Sequence, residues 1–519
     1  MRMLPCADAG LLLEVGSLRE VLALADAVRA ADFADVLDVV PAARTVLLTT
    51  RRGADLEVLR RAVLDLDVEV GAVATADTTV EVPVHYDGPD LAEVAALTGL
   101  SAEQVIHAHT NTPWRVAFGG FAPGFAYLAE GDRRLYVPRR AEPRASVPAS
   151  SVGLAAEFSG IYPRSSPGGW QLIGRTDVVL WDAERDPPAL LRPGAVVRFV
   201  DAGKRKSTTR PAGEVAAERR DERSDRHIEV LATGALALVQ DLGRPGLAAN
   251  GVGRSGAADR AALRLANRLV ANPEEAAGIE ITLGGLAVRA GADLPAPLEL
   301  ALTGAAAPAT VDGTPVGHRS VITLSAGQTL RLAMPAVGLR TYLAVRGGID
   351  VPEVLGSRST DVLSGIGPPA LTAGTVLPIG RPPTEFPLVD QAPGPAGDDS
   401  TVTLRVVLGP RDDWLHDPAG LHGSTWTASD RSNRVGMRLT GGTLRRCRDD
   451  ELPSEGTVRG AIQVPPGGEP VIFLADHPVT GGYPVIGVVV DADVDVAAQV
   501  RPGRSVRLVV VDDGISARG

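Results

Sequence analysis

The sequence predicts a mainly β protein that contains a small α+β domain and a duplicated β domain. The first observation is a repeated phrase, GGWQLIG at 168–174 and GGYPVIG at 481–487. Each copy is followed by a similar closing phrase, RPGAVVRFV at 192–200 and RPGRSVRLV at 501–509. The second observation is composition, because 58 Gly and 40 Pro among 519 residues are typical of many short strands joined by turns. Two copies in the same order indicate duplicated domains.

Residues 1–86 are expected to form an α+β domain. Patterning predicts a strand at 11–15, a helix that begins with a capping box between Ser17 and Glu20, and strands at 35–40 and 45–50. A second helix at 54–66 and a fourth strand at 80–86 complete the domain. The order β-α-β-β-α-β is the ferredoxin-like signature, and such a domain usually serves as scaffold or interface.

The rest of the chain divides at two polar stretches. Residues 202–227 lack apolar periodicity and 381–400 are rich in proline, so both are predicted to be linkers. They separate β-rich domains at 87–201, 228–380 and 401–513. Because glycine and proline interrupt the apolar runs at short intervals, we expect these domains to be barrels or sandwiches.

Composition excludes several kinds of chemistry. A net charge of −11 argues against a nucleic-acid platform, and two cysteines are too few for a disulfide framework or a cysteine metal cluster. The two lysines, Lys204 and Lys206, lie in the first predicted linker. The folded domains therefore have no Walker A, Schiff-base or biotinyl lysine and no Ser-Lys amidase centre. The eight histidines show no metal-ligand spacing, so no metal site is expected.

The sequence predicts a cytoplasmic protein without a membrane partner. Asp8 and Glu14 interrupt the early apolar residues, so no signal peptide is expected. The longest charge-free run, 362–380, contains four Gly and three Pro, which argues against a membrane span.

His109 lies where a helix is predicted to end and a strand to begin. A neutral imidazole there can act as a general base or acid near neutral pH, or it can simply interact with the last carbonyls of the helix. Downstream, an arginine-rich stretch can hold a phosphate or carboxylate through forked hydrogen bonds, or form a solvated barrel rim. Its members are Arg133, Arg134, Arg139, Arg140 and Arg144.

Other candidates combine turns with polar groups. The turn FAPGF at 121–125 can line a pocket or belong to the core, and successive glycine amides at 168–169 can form an anion nest. In the second half, Ser255 and Asp259 flank a predicted helix N-terminus. The two alternative roles for them are an anion-binding site and ordinary helix capping. Gln463 and Asp476 lie in otherwise apolar strands, so they are either structural pairs or site residues.

Several long motifs carry a resemblance to a known family. Through HTNTPWRVAFGGFAPGFAYL, PRRAEPRASVPASSVG and GIYPRSSPGGWQLIGRT, residues 1–200 resemble the KipI family, the B-type subunits of 5-oxoprolinase, also called allophanate hydrolase subunit 1. Through VQDLGRPG, GVGRSGAADRAALRLANRLVAN, RSNRVGMRL, GAIQVP and TGGYPVIG, residues 228–513 resemble the KipA family, the C-type subunits of 5-oxoprolinase or allophanate hydrolase subunit 2. The chain therefore resembles the two subunits fused through a linker.

The resemblance implies cyclophilin-like β-barrels for the domains that carry the glycine phrases. It implies a component of an ATP-dependent 5-oxoprolinase that activates 5-oxoproline for opening to L-glutamate, with the LamB/YcsF-type (A-type) subunit of that enzyme as partner. ATP is then the expected cofactor, with no covalently attached biotin, and we expect an oligomer. The alternatives are a carboxyltransferase component of a urea carboxylase-like, biotin-dependent system and a non-enzymatic regulator of a sensor histidine kinase. Allophanate hydrolysis itself is not implied, because it needs a Ser-Ser-Lys centre.

Residue by residue, the resemblance implies catalytic roles for His109, Asp259 and Asp476. The substrate-binding positions that it implies are Phe121, Pro123, Gly124, Arg139, Arg140, Arg144, Gly168, Gly169, Gln171, Arg244, Ser255, Gly256, Arg431, Asn433, Gln463, Gly481, Gly482 and Tyr483, and Asp241 is a further candidate. Three positions depart from the family pattern: Ser150 replaces a glycine, Ala258 a methionine and Val479 a threonine. The Ser150 side chain is expected to narrow the pocket.

Overall fold

The computed structural model describes residues 1–69, 78–140, 142, 144–203, 225–387, 389–394, 400–448, 450 and 452–512. The predicted fold class is confirmed, because these residues form a mostly β structure with an α+β region and closed or nearly closed barrels. Within them, no helix combines the length and hydrophobicity needed to cross a membrane.

The N-terminal α+β region is a four-stranded antiparallel sheet with two helices. Its elements are β1 (Arg2–Pro5), β2 (Gly10–Glu14), α1 (Leu18–Ala31), β3 (Val36–Pro41), β4 (Thr45–Thr50) and α2 (Leu56–Leu64), and the sheet order is β1-β2-β4-β3. Helix α1 begins as predicted, since Ser17 Oγ accepts a hydrogen bond from Glu20 N at 3.3 Å. Apolar residues of both helices and the sheet form one buried cluster.

The first barrel follows. Its elements are β5 (Thr79–Val84), α3 (Leu91–Thr98), α4 (Ala102–Asn111), β6 (Trp114–Gly119), β7 (Ala126–Ala129), β8 (Arg144–Val147), β9 (Ser151–Ala155), β10 (Phe158–Ile161), β11 (Ser166–Gly168), β12 (Gln171–Arg175) and β13 (Val196–Asp201). Seven strands lie in the order β12-β9-β10-β7-β6-β13-β5. A backbone bridge between His85 and Arg175 joins the two edges, so the barrel is nearly closed. Strands β8 and β11 form a separate two-stranded ribbon.

The strand expected at 80–86 pairs differently from the prediction. It is β5, which runs parallel to β13 in the first barrel rather than joining the N-terminal sheet. Its residues Val82 and Val84 are fully buried in the barrel core, and this burial fixes its position. Strand β1, which the sequence did not predict, forms the sheet edge instead. The domain boundaries themselves stay predictions.

The middle region consists of two sheets around one shared core. Its elements are β14 (His227–Thr233), β15 (Leu236–Gln240), α5 (Arg260–Leu269), β16 (Gly278–Thr282), β17 (Leu286–Ala290), β18 (Leu298–Gly304), β19 (Ala309–Val311), β20 (Thr314–Val316), β21 (Val321–Leu324), β22 (Thr329–Leu332), β23 (Arg340–Val345) and β24 (Val376–Pro378). The sheet orders are β20-β19-β22-β17-β14-β24 and β15-β16-β23-β18-β21. Helix α5 packs on β18 and β23.

The second barrel is closed. Its elements are β25 (Val402–Leu408), α6 (Gly420–Gly423), β26 (Thr425–Ala428), β27 (Gly436–Thr440), β28 (Glu455–Gly456), β29 (Ala461–Gln463), β30 (Val471–Phe473), β31 (Thr480–Gly481), β32 (Val485–Val489), α7 (Asp491–Ala497) and β33 (Ser505–Val510). The strand order is β25-β32-β29-β30-β27-β26-β33, with β28 and β31 as a separate ribbon.

The two barrels share one topology, as the repeated phrases predicted. Their first and last strands pair in parallel, β5 with β13 and β25 with β33. The glycine phrase leads into β12 in one barrel and β32 in the other. Trp114 and Trp426 even donate the same indole hydrogen bond, each at 3.1 Å, to the carbonyl five residues earlier, at His109 and Leu421. The duplication therefore extends to side-chain detail.

The two predicted linkers differ in how much of them is described. Residues 204–224 of the first, including both lysines, lie outside the described residues. The described part of the second packs on the middle region: Arg346 donates to the carbonyl of Pro383 at 2.9 Å, and its guanidinium lies 4.3 Å from the centre of the Phe386 ring.

Candidate active site

The two barrels contact each other through the FAPGF turn and Arg139 of the first and the segment 480–482 of the second. The backbone N–H of Phe121 donates to Thr480 Oγ1 at 2.9 Å, and Tyr127 Oη lies 3.2 Å from Ser454 Oγ. Arg139 of the first barrel lies beside Gly482 of the second, where an added Cβ would be 3.1 Å from Arg139 Nη1. We call this contact region the barrel junction. It brings predicted binding segments from both halves of the chain together.

Aromatic rings line the first-barrel side of the junction. Phe121 packs edge-on against Phe125 and Tyr162, with ring centroids 5.4 and 6.3 Å apart. Phe125 and Trp170 form another edge-on pair at 5.4 Å. A Cβ at Gly168 would collide with Tyr162 Oη, so a glycine is required for this close approach. These rings belong to a buried aromatic cluster, of which Phe121 is the partly exposed member.

Asp90 holds two of the predicted arginines. Its side chain is buried and accepts from Arg140 Nη1 at 2.9 Å and from Arg144 Nη2 at 2.7 Å, while its other oxygen accepts from Leu172 N at 2.7 Å. Arg140 Nε and Arg144 Nη1 are buried and have no hydrogen-bond partner among the described residues. Within the same described part of the chain, Arg139 makes no ion pair with a carboxylate. Donors are therefore available here for an anionic ligand.

Gln171 supplies an acceptor beside these donors. Its side chain is 1% exposed, its Nε2 lies 3.5 Å from Pro138 O, and its Oε1 has no partner within the described chain. Strand pairing sets Gly168 opposite Arg144, which brings the start of β12 close to the arginines. Gly169 contributes its carbonyl, which accepts from Arg140 N at 2.8 Å. A buried amide oxygen without a donor is uncommon and indicates a ligand position.

Backbone strain is found at the same place. Phe121 and Ser150 have φ angles of 63° and 66°, in the left-handed region that favours glycine. Such conformations persist where the surroundings over-determine them, and they cluster at functional sites. Glycine, which the family resemblance implies at position 150, would adopt this φ without strain. The predicted narrowing of a pocket by the Ser150 side chain stays a prediction.

The rest of the FAPGF turn supports the junction from behind. Pro123 and Gly124 are buried, and Gly124 N donates to Asn250 O at 3.4 Å. On the second-barrel side, Gln463 Nε2 donates to the carbonyl of Tyr483 at 3.0 Å, and a Cβ at Gly481 would lie 2.6 Å from that nitrogen. These groups are satisfied and act as walls.

Other predicted residues belong to a buried network between the middle region and the second barrel. Arg434 binds Asp476 at 2.9 Å, donates to Gly256 O at 2.6 Å, and pairs with Glu280. Ser255 donates to Asp476 at 2.6 Å and has a φ of 54°. Since Asp476 also accepts from a backbone N–H, its oxygens are fully engaged, and the geometry gives these residues a structural role.

Asp259 caps helix α5 as predicted, because its Oδ1 accepts from Ala262 N at 2.9 Å. Its Oδ2 accepts from Gln499 Nε2 at 2.8 Å. Burial, with the nearby Asp495 charge, raises the pKa of Asp259 to about 6. Nearby Ala258, which stands where the family has methionine, packs in a small buried cluster with Ala475 and Ala498. None of these groups reaches the barrel junction by a contact within the described residues.

His109 lies in the core of the first barrel rather than at the junction. Both ring nitrogens are engaged, Nδ1 with Tyr86 Oη at 2.7 Å and Nε2 with Ser159 Oγ at 2.9 Å, and the ring stacks on Phe199 at 4.1 Å. Burial lowers its pKa to about 3. The predicted proton transfer is therefore not supported, because both ring nitrogens are already bound to side-chain hydroxyls.

The remaining predicted residues lie elsewhere. Arg244 is buried, with Nη2 donating to Ser359 O at 2.5 Å. Arg431 is exposed and pairs with Glu469 at 2.9 Å, and Asn433 caps a turn through Val435 N at 2.8 Å. Arg134 pairs with Asp132 on the surface at 2.6 Å. Arg431, Asn433 and Arg134 face solvent, whereas Arg244 is buried and its Nη1 has no partner among the described residues.

Three residues of the junction escape prediction from the sequence. Asp90 lies at the start of a short predicted helix, and its pairing with Arg140 and Arg144 spans fifty or more residues. Tyr162 and Thr480 belong to the motifs above, but no local pattern gives them a role. A usable signal for Asp90 is that a carboxylate at a strand-to-helix boundary near an arginine-rich stretch needs a partner.

Family models identify the class of protein. The carboxyltransferase domain, subdomains C and D, matches residues 1–191, and the carboxyltransferase domain, subdomains A and B, matches 250–510. The chain therefore belongs to the carboxyltransferase domain family.

Among relatives, the C-type subunit of 5-oxoprolinase from Escherichia coli (strain K12) is 38% identical over 300 residues, which are 56% of this chain and 94% of that protein. The B-type subunit of 5-oxoprolinase from Escherichia coli O157:H7 is 44% identical over 177 residues, 33% of this chain and 81% of that protein. Urea amidolyase of Lachancea kluyveri is 34% identical over 316 residues, 54% of this chain but 17% of that protein. The crystal structure of TTHA0988 is similar over 98% of this chain and 100% of that chain, with 35% identity and a TM-score of 0.83. The chain thus joins parts similar to the B-type and C-type subunits in one polypeptide.

Proposed function

We propose that the chain is a component of an ATP-dependent 5-oxoprolinase and that the barrel junction binds the lactam. The observation that carries this is the set of available groups at the junction: Arg139 and Arg144 as donors and Gln171 Oε1 as an acceptor. 5-Oxoproline carries a carboxylate, which suits arginine, and a lactam N–H, which suits an amide oxygen. In this proposal, its small ring packs against Phe121, the partly exposed ring of the junction. Similarity to the B-type and C-type subunits of 5-oxoprolinase supports the same reaction.

The proposed reaction divides between this chain and a partner of the LamB/YcsF type. Transfer of the γ-phosphoryl group of ATP to the lactam carbonyl oxygen makes the carbonyl carbon electrophilic. Water then adds, the C–N bond breaks with the proton returning to nitrogen, and a second water releases phosphate and L-glutamate. Because the described domains contain no lysine, arginines and backbone amides must stabilise the developing charge. The working form is then a complex of this chain with its partner.

The decisive measurement is 5-oxoproline-dependent ADP and glutamate release by the purified chain together with its partner. We expect turnover with 5-oxoproline and none with urea. Arg139→Gln should raise KM for 5-oxoproline by about tenfold, since one charge-assisted hydrogen bond is lost. Arg134→Gln, in the same stretch but paired on the surface, is the control. Absence of ADP release with an active partner would refute the proposal.

A carboxyltransferase role is the second candidate, favoured by the family models and by the urea amidolyase relative. Since the described domains lack a lysine to carry biotin, the carboxyl group would have to arrive on a separate biotinylated carrier. Urea-dependent consumption of carboxybiotin supplied by such a carrier would favour this role. In that case, 5-oxoproline should not compete for the junction.

A further inference from the structure

A second site adjoins the barrel junction, because Val479, which precedes Thr480, belongs to its lining. It is a cleft of about 1020 Å³ where the N-terminal region, the middle region and the second barrel meet. Asp38 helps to close it, accepting from Gly246 N at 3.1 Å and from Ala248 N at 2.9 Å. Of the site residues implied by the family resemblance, Asp241 is the one that lines this cleft in the described structure. The volume is at the upper end of the range for small-molecule sites, which leaves room for a ligand of nucleotide size.

The charge of the lining is opposite in sign to that of the whole chain. Eight arginines and six carboxylates line the cleft, whereas the chain has a net charge of −11. Several of the carboxylates are already engaged. Asp491 binds Arg459 at 2.7 Å, and Asp241 accepts from Arg358 N at 2.6 Å and from Gly243 N at 2.7 Å. These engaged carboxylates therefore neutralise less of the charge of the other lining arginines than the number of carboxylates suggests.

Four lining arginines have no carboxylate partner in the described parts of the chain: Arg51, Arg52, Arg254 and Arg381. Arg51 and Arg254 each donate Nε to a backbone carbonyl, at 3.1 and 3.2 Å, which leaves the other guanidinium donors for a ligand. Arg254 is half-buried, whereas Arg51, Arg52 and Arg381 are exposed at the rim, so their charges can attract an anion to the cleft.

Two buried arginines complete the polar face. Arg260 and Arg459 are 8% and 6% exposed, and each has a buried Nε without a partner among the described residues. Burial, and then repulsion between neighbouring guanidiniums, holds the pKa of Arg260 well below its usual range. An anion placed among these groups would relieve that repulsion. The lining also includes apolar side chains, among them Leu37, Leu242 and Val479.

We propose that this cleft binds the oligophosphate group of a nucleoside triphosphate, with Arg254 and Arg260 on the phosphates, Arg52 at the mouth and the apolar lining residues against the base. The inference rests on the proposed use of ATP. A small carboxylic acid would meet only part of the lining, because the arginines come from three regions of the chain. The KipI-like part contributes Arg51 and Arg52 and the KipA-like part contributes Arg254 and Arg260, so the cleft is complete only when the two parts pack together.

The test is equilibrium binding by calorimetry to the full chain without partner or 5-oxoproline. The probes are MgATP, inorganic tripolyphosphate and adenosine. We expect both phosphate probes to bind and adenosine to bind at least about tenfold more weakly than MgATP, because the oligophosphate carries the charge-assisted contacts. Arg52→Gln and Arg254→Gln should each weaken MgATP binding by about tenfold.

Arg52 is exposed, so its variant is not expected to disturb folding. Arg29→Gln is the matched control, because Arg29 pairs with Asp26 on the outside of α1 and does not line the cleft. Binding of neither phosphate probe, equal binding of adenosine and MgATP, or binding unchanged in both cleft variants would overturn the proposal. Binding that behaves as expected without 5-oxoproline-dependent ADP release would keep the cleft and refute the proposed reaction. If both cleft variants left ADP release unchanged, the proposed reaction would stand and the nucleotide site in the cleft would be refuted.

Discussion

The two barrels share a strand order but surround their glycine phrases differently. In the first barrel the aromatic residue is Trp170, 5% exposed, and it is followed by Gln171 with its unsatisfied oxygen. In the second barrel it is Tyr483, 40% exposed, followed by Pro484, and the nearby Gln463 is satisfied by a carbonyl. The first barrel therefore keeps a polar group without a partner beside its glycine phrase. The second barrel forms a wall there and anchors the middle region. The duplicated backbone thus supports a binding site in one copy and a scaffold in the other.

The largest effect is expected in the anchoring network of the second barrel. Arg434→Met should lower the free energy of unfolding by about 3–5 kcal/mol, because Glu280 and Asp476 would be left buried without the cation that bridges them. Arg140→Met in the first barrel should cost about 1 kcal/mol, since that side chain is 28% exposed. Urea unfolding followed by tryptophan fluorescence measures both. Equal losses would mean that the arginine–carboxylate pairs of the two barrels contribute equally to the free energy of unfolding.

Acid should destabilise the first barrel through His109, somewhat more than it destabilises the second barrel through His477, whose pKa burial lowers to about 4. His109 has a pKa of about 3 in the folded chain against a usual 6.5, while Leu421 takes the corresponding place in the second barrel. The unfolded chain binds the proton first, so this stability is complete above pH 6.5 and declines as pH falls toward 3. The loss is on the order of 5 kcal/mol. His109→Gln should flatten the dependence of unfolding free energy on pH, and His107→Gln, exposed on the same helix, should leave it unchanged.

The two glutamines near the glycine phrases are expected to respond differently to the same substitution. Gln171→Leu should lower kcat/KM for 5-oxoproline by roughly tenfold to a hundredfold with little change in stability, because its oxygen bonds no described group in the free protein. Gln463→Leu should lower the free energy of unfolding by about 1 kcal/mol, since it loses the hydrogen bond to Tyr483 O. Steady-state kinetics and urea unfolding of both variants measure these two effects. A stability loss in Gln171→Leu with unchanged kinetics would assign Gln171 to the scaffold.

Local signals predicted much of this fold. The N-cap at Ser17 and the cap at Asp259 depend on residues three positions apart, and both are formed. Strand β5 was misplaced because its partner β13 lies more than a hundred residues away. Burial of His109 likewise depends on Ser159 and Phe199, which no local pattern connects to it. The arginine-lined cleft joins three regions, so no single stretch could indicate it.

The smallest expected effect concerns two residues that each come directly before a barrel strand. Ser150 precedes β9 with a φ of 66°, and Gly460 precedes β29 with a φ of 89°. Both carbonyls accept from the end of the strand that carries the glycine phrase, from Thr176 N at 3.0 Å and Val489 N at 2.9 Å. The two positions are therefore equivalent, and the first barrel has a serine where the second has the residue that this conformation favours.

Ser150→Gly should raise the free energy of unfolding by about 0.5–1 kcal/mol, because the relief of left-handed strain exceeds the added entropy of the unfolded chain. Gly460→Ala should have the opposite sign and a larger size, since its Cβ would lie 2.7 Å from Val489 O as well as adopting the strained φ. Urea unfolding of the two single variants measures both signs. If Ser150→Gly lowers the free energy of unfolding instead, the serine side chain makes a contact that outweighs its strain. The two barrels would then differ at this position because of that contact, and not because the first barrel tolerates strain.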